Sequence, residues 1–177
     1  MSNEQSTQIT KWISQLASSP DEQIDVLRQL ARQEDVCGIT VPVVALAGSS
    51  DDEVRMWASE ALESVVQPQT SEIPALIAQV EDPDDGEVCY WAATMLGRLG
   101  AESASAVDAL GRCLADSMYL PARERAVWAL AQIGSDAVSA TDALASAVAN
   151  GPARLSRLAS DALKAINGGD PSQEAAA

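Results

Sequence analysis

A chain of 177 residues with 26 acidic side chains, 11 basic ones and no histidine carries a formal net charge of −15. That field repels phosphate backbones and anionic membrane surfaces, which argues against nucleic acid or a membrane as partner. The missing imidazoles remove the usual general bases, Ser–His triads and most zinc or iron sites, and with 47% hydrophobic residues but no Phe the core has to be made of Ala, Leu, Val and Ile with a few Trp.

In chain order, the opening MSNEQSTQIT lacks the basic region and apolar run of a signal peptide. No apolar stretch approaches the roughly 18 residues needed to span a bilayer. A cytoplasmic protein is the expectation. Ile9, Trp12, Ile13 and Leu16 then follow the i, i+3, i+4, i+7 pattern of an amphipathic helix. Leu16 and Ile24 have the same spacing as Leu46 and Val54, and Leu27 and Ala31 match Trp57 and Ala61. These mark a loose first helix pair over about 6–36, read as a cap.

Four tighter copies follow, over about 39–67, 71–100, 104–134 and 138–167. Each has an apolar helix, a polar turn and a second apolar helix. The ends of the first helices are Leu46, Val80, Leu114 and Val148, at a constant step of 34. The second helices begin on Val54, Val88, Ala122 and Leu155, and carry Ala58, Ala92, Ala126 and Ala159 at their middles. Their late core positions are Ala61, Met95, Ala129 and Ala162, each followed by Leu. Pro42 and Pro74 suit a first helical turn, Pro68 a stop, and Gly100 and Gly134 a left-handed C-cap. The fold expected is an all-α, right-handed α-α superhelix (solenoid) of about five helix pairs, one domain over 1–168. Residues 169–177 are expected to be a disordered tail.

DDEVRMWASEAL (Asp51–Leu62), GEVCYWAATMLGRLG (Gly86–Gly100) and AVWALAQIG (Ala126–Gly134) resemble HEAT-like repeats of the phycobilisome-lyase type. Cys89 and Ser156 stand where that pattern has Arg. The resemblance covers roughly 8–168 and implies fold more than function. The 34-residue period also suggests tetratricopeptide repeats, which fit less well because the Trp and Leu-Gly elements fall on the second helix and Phe is absent.

No phosphate-binding loop and no Gly-x-Ser-x-Gly elbow occurs. Asp82, Asp84, Asp85 and Glu87 around Gly86 loosely resemble a calcium loop, but the glycine and the twelfth residue, Ala93, do not fit one. An acidic turn is expected there. Arg55 and Arg123 are expected to bond the turns beside them, such as Asp51 and Asp52. Cys37, Cys89 and Cys113 are few and widely spaced, which suits reduced thiols. No catalytic residue, metal or cofactor is expected.

Counting Val54, Val88, Ala122 and Leu155 as position 1, the core face carries positions 1, 5, 8, 9 and 12. Positions 3, 7 and 10 point the other way, toward the concave groove of a solenoid. Candidate partner-binding residues are Met56, Trp57, Glu60, Glu63, Tyr90, Trp91, Thr94, Glu124, Trp128 and Arg157. Trp57 and Trp91 share position 4, beside the core. Tyr90 and Trp128 are read as exposed anchors. The function expected is a non-catalytic protein–protein interaction scaffold or adaptor, whose partner could carry a basic segment. The alternative is an auxiliary or chaperone-like factor resembling bilin-lyase subunits, assisting cofactor attachment or enzyme maturation. The oligomeric state is left open.

Overall fold

The computed structural model describes residues 3–33, 36–64, 66–82 and 85–168. Asp84 and the expected tail, 169–177, lie outside the described residues. Contacts gather in two compact units, Met1–Glu72 and Ile73–Ala177, where the sequence reading has one domain over 1–168.

The first unit holds α1 (Asn3–Leu16), α2 (Pro20–Leu30), α3 (Thr40–Leu46) and α4 (Asp52–Ser64). Trp12 and Leu16 of α1 are buried, whereas Ile13 is exposed. Helix α2 stops at Leu30, which leaves Ala31 as its C-cap rather than a core residue. Two short strands were not anticipated: β1 (Val36–Cys37) and β2 (Val66–Gln67) pair in parallel, Val36 against Val66. Each lies downstream of the second helix of its pair. Glu72, in the 3-10 turn Thr70–Glu72, ties this region together. Its carboxylate accepts from the Thr40 amide (2.9 Å), the Thr40 hydroxyl (2.8 Å) and the Gln69 amide (2.9 Å). Thr40 begins α3 and has no local side-chain cap, so Glu72 satisfies donors that the helix start leaves open.

The second unit holds α5 (Ile73–Val80), α6 (Gly86–Leu99), α7 (Val107–Asp116), α8 (Leu120–Ile133), α9 (Thr141–Asn150) and α10 (Ala153–Ile166). Second helices α6, α8 and α10 stack in one layer, and first helices α5, α7 and α9 in another. Ala92, Ala126 and Ala159 have no exposed surface, because a methyl group is all the space that neighbouring helices leave. Gly100 and Gly134 do adopt positive φ, but with ψ of −133° and −137°. They therefore lie outside the left-handed helical cap that was expected. They start the 3-10 turns Gly100–Ala106 and Gly134–Ala140, which take the place of the strands of the first unit.

One column of side chains joins the two helices of a pair. At position 2 of successive second helices, Arg123 Nε donates to the Leu114 carbonyl (2.8 Å) and Ser156 Oγ to the Val148 carbonyl (2.7 Å). Cys89 Sγ lies 3.4 Å from the Val80 carbonyl. These carbonyls belong to the last-turn column of the first helices, whose C=O groups have no partner within the helix. Arg55 does the same work one turn further on, donating to the Ser49 carbonyl (2.5 Å) and to Asp52. Arg55 bonds its turn as expected, whereas Arg123 bonds the end of the first helix and not an acidic turn. Ser156 substitutes for Arg because one donor at this position is enough.

Candidate partner-binding surface

In the first unit the candidate residues line α4. Met56 is 57% exposed, and Glu60 and Glu63 are also at the surface. Trp57, one residue round the helix, is half-buried. The Arg28 guanidinium lies 5.4 Å from its ring centroid and pairs with Glu53 at 2.5 Å. Glu53 also accepts from the Trp57 indole at 3.4 Å. A cation on one ring face and a carboxylate on the ring nitrogen hold the indole flat against the unit.

In the second unit the expected outward face of α6 is covered. Thr94 is 5% exposed and Trp91 4%, and Gly97 is buried. Thr94 turns its hydroxyl back to the Tyr90 carbonyl (2.8 Å), as an unpartnered threonine inside a helix does. Neither Trp91 nor Thr94 is a surface contact in this structure. The cause lies on the neighbouring helix. Trp128 of α8 leans over Gly97, where a Cβ would stand 2.3 Å from Trp128 Cζ3. The indole seats only because position 10 of α6 has no side chain.

Tyr90 and Trp128 are consequently half-buried rather than free. Arg125, which the sequence reading passed over, sits between them. Its guanidinium carbon is 5.0 Å from the Tyr90 ring centroid and 5.5 Å from that of Trp128. Its Nη2 donates to the Tyr90 hydroxyl at 2.8 Å. Tyr90 also meets Trp91 edge to face, with centroids 5.2 Å apart at 88°. The result is a braced stack, Trp91–Tyr90–Arg125–Trp128, spanning α6 and α8. Its sequence signal is an Arg one helical turn before a Trp, 35 residues after a Tyr, and only a fold joins those two spacings. Beside it Glu124 is largely covered and pairs with Arg154 at 3.2 Å, so its charge is neutralised locally. Arg157 on α10 is exposed.

A cleft of about 590 Å³ opens elsewhere on this unit, where α6 begins, α7 ends and α8 begins. Gly86, Cys89, Arg112, Cys113 and Tyr119 line it. Asp85 caps α6, accepting from the Glu87 and Val88 amides at 2.9 and 3.2 Å. Gly86 leaves room for the Tyr119 ring, whose hydroxyl donates to Glu87. Of the acidic cluster, then, Asp85 and Glu87 serve the helix start and the tyrosine. Among the described residues, no three His, Cys, Asp or Glu side chains are grouped to hold a metal ion. No helix among them is long and apolar enough to cross a membrane.

The sequence model for HEAT repeats matches residues 73–164, just over half of the chain. The chain belongs to the HEAT-repeat family. Helices α5 to α10 are its matched repeats, and the phycobilisome-lyase subtype is not distinguished by this match. No curated protein matches the sequence. Among solved structures, a designed armadillo repeat protein in complex with the peptide (KR)4 is similar, with a TM-score of 0.62 and 18% identity over 88% of this chain and 80% of that one. An engineered protein from a structural genomics consortium has a TM-score of 0.58 and 22% identity, over 91% and 80% of the two chains. A second engineered protein from the same consortium gives 0.58 and 24%, covering 92% of this chain and 48% of its own. At these identities the likeness is one of fold: an all-α HEAT/armadillo-like repeat solenoid, an architecture typical of protein-interaction scaffolds.

Proposed function

We propose that this HEAT-repeat chain is a non-catalytic scaffold that binds another protein through exposed second-helix side chains, those of α4 in the first unit and those of α6, α8 and α10 in the second. The observation that carries the reading is the braced aromatic–arginine stack on α6 and α8. Rings already held by Arg125 lose little side-chain entropy on binding. The half-exposed edges of Tyr90 and Trp128 offer apolar area, and Arg125 offers donors to a partner's carbonyls or carboxylate. On α4, exposed Met56 supplies an adaptable apolar contact, and Glu60 and Glu63 supply negative charge. A basic segment fits that charge, and the (KR)4 peptide bound by the designed armadillo neighbour supports the same chemistry. Arg157 contributes on α10 of the second unit. Glu124 stays a support, since Arg154 already takes its charge.

The test is a titration of a labelled (Lys-Arg)4 peptide, followed by fluorescence anisotropy at low and at physiological salt. Binding that weakens with salt, and is lost in Glu60→Lys/Glu63→Lys, is the expected result. A peptide that fails to bind, or binds the charge-reversed variant equally well, contradicts the basic-segment reading.

A further inference from the structure

Cys89 and Cys113 are separated by 24 residues in the sequence, yet their sulfur atoms lie 3.0 Å apart. Cys89 sits in the first turn of α6 and Cys113 in the last turn of α7. Both are free thiols, and both line the cleft of about 590 Å³ beside Gly86 and Tyr119. Both side chains are buried, at 3% and 6% exposure, and the cleft is the route by which a small molecule reaches them. A disulfide has its sulfurs about 2.05 Å apart, so the bond needs them to approach by only about 1 Å.

The two thiols are not equivalent. The Cys113 S–H hydrogen bond holds the Cys89 thiol below its usual range, against opposition from burial and from Asp82. Donating that bond, together with burial, pushes Cys113 well up, with Arg123 opposing. Of the two, Cys89 is therefore the one that ionises more readily and Cys113 the one that holds its proton.

We infer that Cys89 and Cys113 are a thiol–disulfide exchange site, which takes low-molecular-weight disulfides of the oxidised-glutathione class and closes into a reversible disulfide between α6 and α7. In the first step the Cys89 thiolate attacks one sulfur of the incoming disulfide. That S–S bond breaks, one small thiolate leaves, and it takes up the proton that Cys89 had lost. In the second step Cys113 gives up its proton as its sulfur attacks Cys89 Sγ, expelling the second small thiol. The protein loses two hydrogens and two electrons, and the small disulfide is reduced to two thiols. The bond then ties the helix pair α5/α6 to the pair α7/α8. It closes only when the start of one second helix stays seated on the end of the next first helix. This inference does not depend on the binding face proposed above.

The experiment equilibrates the full, reduced chain in buffers of oxidised and reduced glutathione, then counts thiols and maps tryptic peptides without reduction. Cleavage at Arg55, Arg98, Arg112 and Arg123 puts Cys89 in peptide 56–98 and Cys113 in peptide 113–123. The expected result is joint loss of two of the three thiols, a 56–98/113–123 cross-link and reversal by dithiothreitol. In Cys113→Ser, Cys89 has no resolving thiol, so a glutathione adduct should accumulate on it. Two thiols that stay titratable, a cross-link through Cys37, or a stable adduct on wild-type Cys89 would each overturn the inference. So would a Cys113→Ser chain whose Cys89 stays unmodified, since the cleft would then admit no disulfide.

Discussion

At the scale of single residues, small side chains at helix crossings make the sharpest predictions. Gly97 lies inside α6, where alanine would ordinarily gain about 1 kcal/mol of helix propensity. Its Cβ would stand 2.3 Å from the Trp128 ring and 3.1 Å from Ala129 Cα, so the indole has to leave its seat. Overpacking of this kind costs about 1–3 kcal/mol, which outweighs the propensity gain. Gly97→Ala should therefore lower stability in chemical unfolding and shift the tryptophan emission. A more stable variant with unchanged emission would show that Trp128 is not seated there. Ala126→Leu, at a fully buried helix crossing, should likewise lose about 1–3 kcal/mol. The double truncation Tyr90→Ser/Trp128→Ser is a poor probe of binding, because both side chains are half-buried and its effects on folding and contact would mix. Arg125→Ala with Tyr90→Phe removes the brace while keeping both rings.

Tyr119 supplies a residue-scale prediction in pH. Its hydrogen bond to the Glu87 carboxylate, with burial and the carboxylate's charge, pushes the phenol up from 10 to about 12. The fold prefers the neutral phenol, so the stabilisation is fully present below pH 10 and lost as pH rises from there through about 12. In Glu87→Gln the phenol should titrate closer to 10 by ultraviolet absorbance. An unshifted titration would mean that the Tyr119–Glu87 contact does not persist in solution.

Helices and their junctions set the next scale. Second helices α8 and α10 bond back to their own first helices through position 2, which adds a polar tie to the packing within each pair. Arg123→Ala leaves the Leu114 carbonyl without its donor and should cost about 1–2 kcal/mol. In the first unit Glu72 replaces a local cap for α3 and reaches four donors with one carboxylate. Two of those donors belong to Thr40, which has no exposed surface, so water cannot step in. Glu72→Ala should therefore cost about 2–4 kcal/mol, and Glu72→Gln less. Urea unfolding that leaves the Glu72→Ala midpoint unchanged would contradict this role.

For the molecule as a whole, the sequence made the repeat legible because the repeat is a property of neighbours in the chain. The columns through Val54, Ala58, Ala61 and Leu62 and their counterparts mark buried faces, except for half-exposed Ala31 in the first repeat and Leu163 in the last. The surface was less legible, because it depends on what the adjacent helix does. A helical wheel for α6 puts Thr94 and Gly97 outward, yet both are buried, Gly97 under Trp128 of α8. The same wheel leaves Tyr90 and Trp128 exposed and gives no reason to single out Arg125, since their contact crosses 35 residues of chain. The Cys89–Cys113 approach and the Glu72 junction are hidden for the same reason. Composition settled charge and the absent imidazoles, but it could not say that Glu124 is already paired.

The central claim is that the exposed second-helix side chains are where another protein docks. The most direct measurement is quantitative affinity capture from native cell extract with three baits: the wild-type chain, Glu60→Lys/Glu63→Lys, and Arg125→Ala/Tyr90→Phe. Circular dichroism and unfolding midpoints first establish that all three baits are folded. The account predicts at least one protein enriched on wild type and reduced about tenfold or more on one or both variants, a loss on the scale of an interface hot spot. Equal recovery of every captured protein on three folded baits would contradict it and move the binding surface elsewhere.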